Sequence, residues 1–226
     1  MAQVGVHAIL GLYFKKVIPN KRWLFTSFLI GAIAPDIDYI LVFITHWFLS
    51  FETALSIFHR TVTHSFFTVI LVYLIFAILS EFKKNENLKI IGRGIAAGMI
   101  FHILIDLVLW FQGVALLWPL PIHFNLWTFY QPQIWMEQFL MALEFLFFRV
   151  YGWILIQMVV SSSCSECAWI VKPLNFWMKL ELALFMIFVL LVSFSINNYF
   201  EIFLFAYAPS LIIALFSTYF TRKVLE

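Results

Sequence analysis

Apolar residues fill the chain in long, unalternating runs, and most of the charged residues fall in the gaps between them. With no alternation of period two, such runs predict helices rather than strands. Residues 2–14 predict a short helix, and residues 23–50 predict a long one interrupted at Pro35. Three more helices are expected over 61–81, 89–111 and 134–160, and a helical hairpin over 176–196 and 200–220. The proline- and aromatic-rich stretch 112–133 predicts a loop. Several runs reach the roughly 20 residues that cross a bilayer; 2–14 is too short to cross alone. In lipid, every backbone polar group needs an internal partner, and a helix supplies it. The expectation is an all-α, polytopic transmembrane helical bundle with a broken span at Pro35. Two parts follow from the pattern: 1–133 (short helix, broken span, two spans and loop) and 134–226 (one long helix plus a hairpin).

Composition makes the solvent plain. Of 226 residues, 64% are hydrophobic, 20% aromatic and only 12% charged, and the mean hydropathy is +0.97. A soluble domain carries about twice that charged fraction. This is an integral membrane protein, with the bilayer as its first partner and no nucleic acid expected. The opening MAQVGVHAILGLYFKK has no basic residue before its apolar stretch and no cleavage site, so it does not read as a removable signal peptide. No soluble domain, low-complexity linker or internal repeat is apparent.

The basic residues sort by side. Lys15, Lys16, Lys21 and Arg22 precede the broken span, and Lys83, Lys84, Lys89 and Arg93 surround the next turn. Lys172 and Lys179 flank the expected loop 161–175, and Arg222 and Lys223 follow the last span. Threading the spans alternately puts all of these on one face; only Arg60 and Arg149 are left over. By the positive-inside rule that face is cytoplasmic. The loops 51–60, 112–133 and 197–199 then face outward, and Trp118, Trp127, Tyr130 and Trp135 suit the outer interface.

Against this background the ionisable residues inside the apolar runs stand out, because each is costly there unless paired. They are His7, Asp36, Asp38, His59, Arg60, His64, His102 and Asp106. Apart from Arg60 they are imidazoles and carboxylates, the donors that hold divalent metals. His102 and Asp106 are four apart and share a helix face. Pro35 breaks the ladder beside Asp36 and Asp38; in extended backbone those two would point the same way. The helix after His59 is expected to start near Thr61 or Thr63, leaving His59 in the entering loop and Arg60 one turn before His64. The depths of these residues allow one site in the outer half of the bilayer, rimmed by 112–133. His46, His123 and Glu137 are weaker candidates; Glu137 and Glu144 share a helix face. Cys164 and Cys167 form a single CxxC, read as two unpaired thiols in a loop, since a structural zinc site wants four ligands.

The series HAILG, GAIAPDID, HRTVTHS, HILID and GVALLWPL resembles the YdjM-like family of LexA-regulated, inner-membrane-associated metal-dependent hydrolases. The resemblance covers roughly residues 5–121, and no motif in 134–226 matches. Thr61 follows Arg60 where similar sequences carry glycine, which leaves the histidines intact. The resemblance implies a multi-pass inner-membrane protein with a divalent metal held by His7, Asp36, Asp38, His59, His64, His102 and Asp106.

The leading expectation is a membrane-bound metal-dependent hydrolase acting on an ester or phosphoester of an amphiphilic substrate such as a phospholipid. Zinc is the expected metal, with manganese or iron as alternatives. Arg60 and His59 are the expected catalytic pair, Arg60 holding an anionic group. The alternative is a metal-ion or proton-coupled transporter, because intramembrane His and Asp also build ion pathways. A bis-histidine haem protein ranks last, since haem leaves the three aspartates without a purpose.

Overall fold

The computed structural model describes residues 4–162, 164–196 and 198–226. Residues 2 and 3 of the expected first helix, residue 163 of the expected loop 161–175 and residue 197 of the loop 197–199 lie outside the described residues. Among the described residues ten α-helices follow in order: α1 Val4–Tyr13, α2 Leu24–Ile33, α3 Asp38–Thr45, α4 Phe51–Phe58 and α5 Phe66–Lys83, then α6 Glu86–Leu109, α7 Ile134–Ser161, α8 Val171–Ser193, α9 Tyr199–Phe220 and α10 Arg222–Leu225. Six segments are long and apolar enough to cross a membrane, with α2 and α3 counted as one broken span. The chain is a helical, multi-pass membrane protein.

Pro35 interrupts the first span as expected. A 3₁₀ turn over Ala34–Ile37 joins α2 to α3, because proline has no N–H for the ladder. Three expectations need correction. The outward stretch 51–60 is mostly helix α4, N-capped by Ser50, whose Oγ accepts from Thr53 N. The helix expected from 61 is only a 3₁₀ turn over Val62–His64, and α5 starts at Phe66, capped by Ser65. Helix α8 starts at Val171 rather than 176, after a 3₁₀ turn over Ser165–Ile170. Lys179 therefore lies two turns inside α8 rather than at a loop edge, where its long stem can carry the charge toward the interface.

Small residues set the closest helix contact. A Cβ added to Gly98 would lie 2.0 Å from the Phe28 carbonyl oxygen and 2.7 Å from Ala32 N. One at Gly94 would meet Ser27 Cβ at 2.6 Å, and one at Gly31 the Ile95 carbonyl oxygen at 2.2 Å. Lipid tails are as apolar as leucine, so packing rather than hydrophobicity holds helices together here, and glycine lets backbones meet. The pairing of 94 with 27 and of 98 with 28–32 makes α2 and α6 parallel. Their starts, and the basic residues beside them, therefore share one end of the bundle. At that end Lys15 Nζ donates to the Val224 carbonyl oxygen at 2.9 Å, Arg222 lies over the Trp23 ring, and Lys223 pairs with Glu166.

Helix α1 does not cross. It wedges between α2 and α7, and Gly5 N donates to the buried carboxylate of Glu144 at 2.8 Å. Its N-terminal turn thus sits at the depth of the middle of α7. One apolar core runs through both halves of the chain, from Val4, Phe28 and Tyr39 to Phe145, Trp177 and Tyr207. At the opposite end the loop 112–133 folds back on the segment before α5: Ala115 N donates to Arg60 O at 3.1 Å and Phe66 N to Leu116 O at 2.9 Å. Ser65 Oγ donates to Trp118 O at 3.0 Å.

Two outcomes are expected. Single cysteines at 84 and 172, in a background lacking Cys164 and Cys167, will resist an impermeant thiol reagent applied to intact cells, whereas one at 125 will react. Gly98→Ala will separate α2 from α6 and lower stability by about 1–3 kcal/mol, the usual cost of overpacking, read as a fall in melting temperature in detergent.

Candidate metal centre

The break at Pro35 positions both aspartates. Asp36 lies in the 3₁₀ turn and Asp38 opens α3 (φ −56°, ψ −25°), so the break is followed by a second half-helix. Asp36 turns toward His64 and His102; Asp38 turns toward His59 and the backbone after it. Beside the break, the Ala32 carbonyl accepts from His102 Nδ1 at 2.8 Å. A carbonyl only accepts, so the proton is on Nδ1 and the lone pair of His102 is on Nε2.

That lone pair faces a cage. His64 Nε2 is 3.1 Å from His102 Nε2. Asp36 Oδ1 is 3.5 Å from the first of these nitrogens and 3.6 Å from the second. Asp106 Oδ2 is 3.4 Å from His64 Nε2 and 3.7 Å from His102 Nε2. Two nitrogens bound to one tetrahedral zinc at about 2.0–2.1 Å sit roughly 3.3 Å apart, so the cage edges have the right size. Among the described residues, the four oxygens of Asp36 and Asp106 are buried without a hydrogen bond of good geometry, the nearest ring and guanidinium nitrogens standing 3.1–3.7 Å away. Buried carboxylates normally have donors or metals. These residues fit a divalent ion.

The remaining candidates surround the cage. His7 Nε2 lies 3.1 Å from Asp106 Oδ1, and its ring stacks on His102 at 4.0 Å. His59 Nδ1 is 3.0 Å from Asp38 Oδ1. Asp38 Oδ2 accepts from Arg60 N at 3.1 Å and from Thr63 Oγ1 at 2.8 Å, and lies 3.4 Å from His64 Nδ1. A carboxylate behind a ligating imidazole is the usual way to fix its tautomer. Three triads can each offer ligand atoms within 4.8 Å of one another: His7, His102 and Asp106; Asp36, His64 and His102; and Asp36, Asp38 and His59. All eight intramembrane candidates thus meet in one place, each with no more than 6% of its surface exposed.

Arg60 departs from its expected pose. It is not on a helix with His64 but in the left-handed region, with φ 58°. Its Nε is 3.4 Å from Asp106 Oδ2, its guanidinium lies 5.6 Å from the centre of the Trp110 ring, and Nη2 is buried with no hydrogen-bond partner among the described residues. His123 joins His59 and Arg60 in lining a cleft of about 380 Å³ with Glu52 and Gln112. His46 packs against Trp47 and Phe205 away from the cage, and Glu137 is half-buried at the first turn of α7 without joining any triad. Cys164 and Cys167 are free thiols with sulfurs 2.7 Å apart at the start of a 3₁₀ turn, remote from the cage in sequence and packing.

Charge is the tightest constraint. With neutral imidazoles, three carboxylates face one guanidinium, which leaves two negative charges to balance. Between the spans, His64 responds to this. Burial opposes charge on its ring, yet the carboxylates of Asp106, Asp36 and Asp38 outweigh burial and hold its pKa well above that of an ordinary histidine. For His59, burial wins over the pull of Asp38 and lowers the pKa.

Several contributors were not picked out from the sequence. Tyr39 places its hydroxyl 2.9 Å from His59 Nε2. Thr63 ties Asp38 to His64, touching His64 Nδ1 at 3.0 Å. The Ala32 carbonyl and Trp110 complete the surround. A polar ring beside Asp38 and a threonine beside His64 were available signals; a backbone carbonyl offers none.

A family model described as YdjM inner membrane protein matches residues 2–198. The match extends past the motifs of the first half through α7 and α8. No curated protein and no solved structure matches the chain.

For the cage, the expected outcome is that wild-type protein purified in detergent retains a divalent metal by elemental mass spectrometry. His102→Ala and Asp36→Ala will lose it while remaining monodisperse, and His46→Ala will keep it. Thr63→Val will weaken metal affinity about 10- to 100-fold, the usual effect of removing an outer hydrogen bond.

Proposed function

The chain belongs to the YdjM inner membrane protein family, and from that premise we propose that it is a membrane-bound, metal-dependent hydrolase of an amphiphilic ester, most suitably a phosphoester. The observation that carries this reading is the cleft over the cage. Residues Glu52, His59, Arg60, Gln112 and His123 line an open hollow, and two of them, His59 and Arg60, are bonded to the carboxylates of the metal-competent cluster.

Asp36, His64, His102 and Asp106 would hold the ion, with His7 and Asp38 steadying Asp106 and His64. The mixed nitrogen and oxygen donors suit zinc, and manganese or iron if more oxygens join. Such an ion, when bound, acidifies a water and polarises a phosphoryl or carbonyl oxygen. The protein's own residues supply the rest. His59 is oriented by Asp38 at Nδ1 and by the Tyr39 hydroxyl at Nε2, and its lowered pKa keeps it neutral and able to accept a proton near neutral pH. Arg60 offers Nη2 toward an anionic group while Nε stays with Asp106. Trp110 and the folded-back loop restrict water around it, which strengthens each of these contacts. The outward end of the bundle favours a substrate in the outer leaflet.

One observation favours the transport alternative. Both α1 and the α2–α3 break end at the cluster inside the bundle, as interrupted helices do at the binding sites of secondary transporters. Metal uptake by proteoliposomes separates the two readings: a metal-loaded protein that moves ions but turns over no ester excludes the hydrolase.

The test of substrate class is Arg60→Lys. Lysine keeps the charge but loses the planar fork. On a phosphoester, the variant will keep its metal and fold but lose roughly 2–4 kcal/mol of transition-state stabilisation, or about 30- to 1,000-fold in kcat/KM. Full activity on a phosphoester panel would remove Arg60 from substrate binding. Loss on phosphoesters with no loss on neutral esters is the expected pattern.

A further inference from the structure

A second cavity lies on the membrane-facing side, away from the metal cluster. It is a groove of about 820 Å³ between α1 and α7, walled by Ile9, Leu12, Tyr13, Trp153, Ile154 and Met158. Its volume is within the range of small-molecule sites. The groove exists because α1 is a half-length helix wedged beside a full-length one. Only two charged residues line it, Lys15 and Lys16, and both lie just past the end of α1. That end is the one where the chain gathers its basic residues, so the groove has an apolar body and a cationic mouth.

The two lysines are short of negative partners. Among the described residues, neither pairs with a carboxylate. Lys15 donates one N–H to the Val224 carbonyl oxygen, which leaves two of its three donors. Lys16 is exposed at the mouth. Burial without a carboxylate lowers the pKa of Lys15, a cost that a bound anion would offset.

We infer that this groove is a binding site for one anionic phospholipid of the cytoplasmic leaflet, its acyl chain between α1 and α7 and its headgroup phosphate on Lys15 and Lys16. The inference does not depend on hydrolase activity. A zwitterionic lipid would fill the apolar walls equally well, so the two lysines alone carry the selectivity. Attraction of anionic lipid to basic side chains near a membrane surface gives roughly a fivefold preference per lysine.

Trp153 reports occupancy from inside the groove. Protein is reconstituted into phosphatidylcholine vesicles with increasing fractions of either phosphatidylglycerol or phosphatidylcholine brominated on the acyl chain. Subtracting the quenching of Trp153→Phe from that of the wild type isolates the Trp153 signal. The expected result is quenching of that signal at a roughly 5- to 30-fold lower fraction of the brominated anionic lipid. Lys16→Gln will cut the preference about fivefold, and Lys15→Gln with Lys16→Gln will remove it. Equal quenching by the two lipids in the wild type overturns the proposal. So does an unchanged preference in Lys16→Gln, a variant that breaks no hydrogen bond and decides the matter if loss of the Lys15 contact unfolds the double variant.

Discussion

Backbone can touch backbone only where side chains are missing, and at Gly98 the chain of α6 passes against the chain of α2 with no room for a methyl group. The rest of the site follows from that contact. It brings His102, one turn further along α6, to the Ala32 carbonyl. That bond fixes the tautomer and aims Nε2 at His64 and Asp36. It also sets Asp106 on the same face as His102, within reach of His7 and Arg60. The broken ladder at Pro35 is the complementary half. It lies beside the carbonyl that His102 uses and sets Asp36 and Asp38 against opposite nitrogens of the His64 ring.

Charge then explains why so many groups gather. Two unbalanced carboxylates in a site nearly closed to solvent would be strongly destabilising without a cation or protons. Arg60 meets part of the demand, and in an ion-free state the proton on His64 meets more. Both are imperfect, as the carboxylate oxygens without hydrogen-bond donors show. A cluster poised in this way would gain stability from any divalent ion bound to it.

How much was legible in the sequence varied with the kind of signal. Hydrophobic run length reported the spans to within a few residues, because lipid imposes the same demand on every one of them. The eight polar residues were legible because the cost of burying each demands a reason. Spacing was a poorer guide to local backbone. His59 was read in a loop and is extended, but Arg60 and His64 were read as one helical turn apart, whereas they are a left-handed arginine and the end of a 3₁₀ turn, held by hydrogen bonds from a loop some fifty residues away. Tertiary bonds of that reach leave no periodic trace. The break before the aspartates at 36 and 38 was legible at Pro35, but the partner each takes was not, because those partners lie on segments far along the chain. Helix α4 hid in what composition marked as an outward loop, its boundary set by a serine cap rather than by any run of apolar residues.

The placement of α1 bears on how the protein is made. This helix precedes the rest of the site along the chain, yet it is too short to span the bilayer, and although it also packs on α2, the polar groups that meet it lie on α6 and α7: His102, Asp106 and Glu144. More than a hundred residues must be synthesised before those partners exist. The contacts of Gly5 and His7 with these groups therefore form only once α6 and α7 have joined the bundle. At this cluster, chain order does not set contact order: the site residue that comes first in the sequence closes its contacts only with helices that follow it by some ninety residues or more.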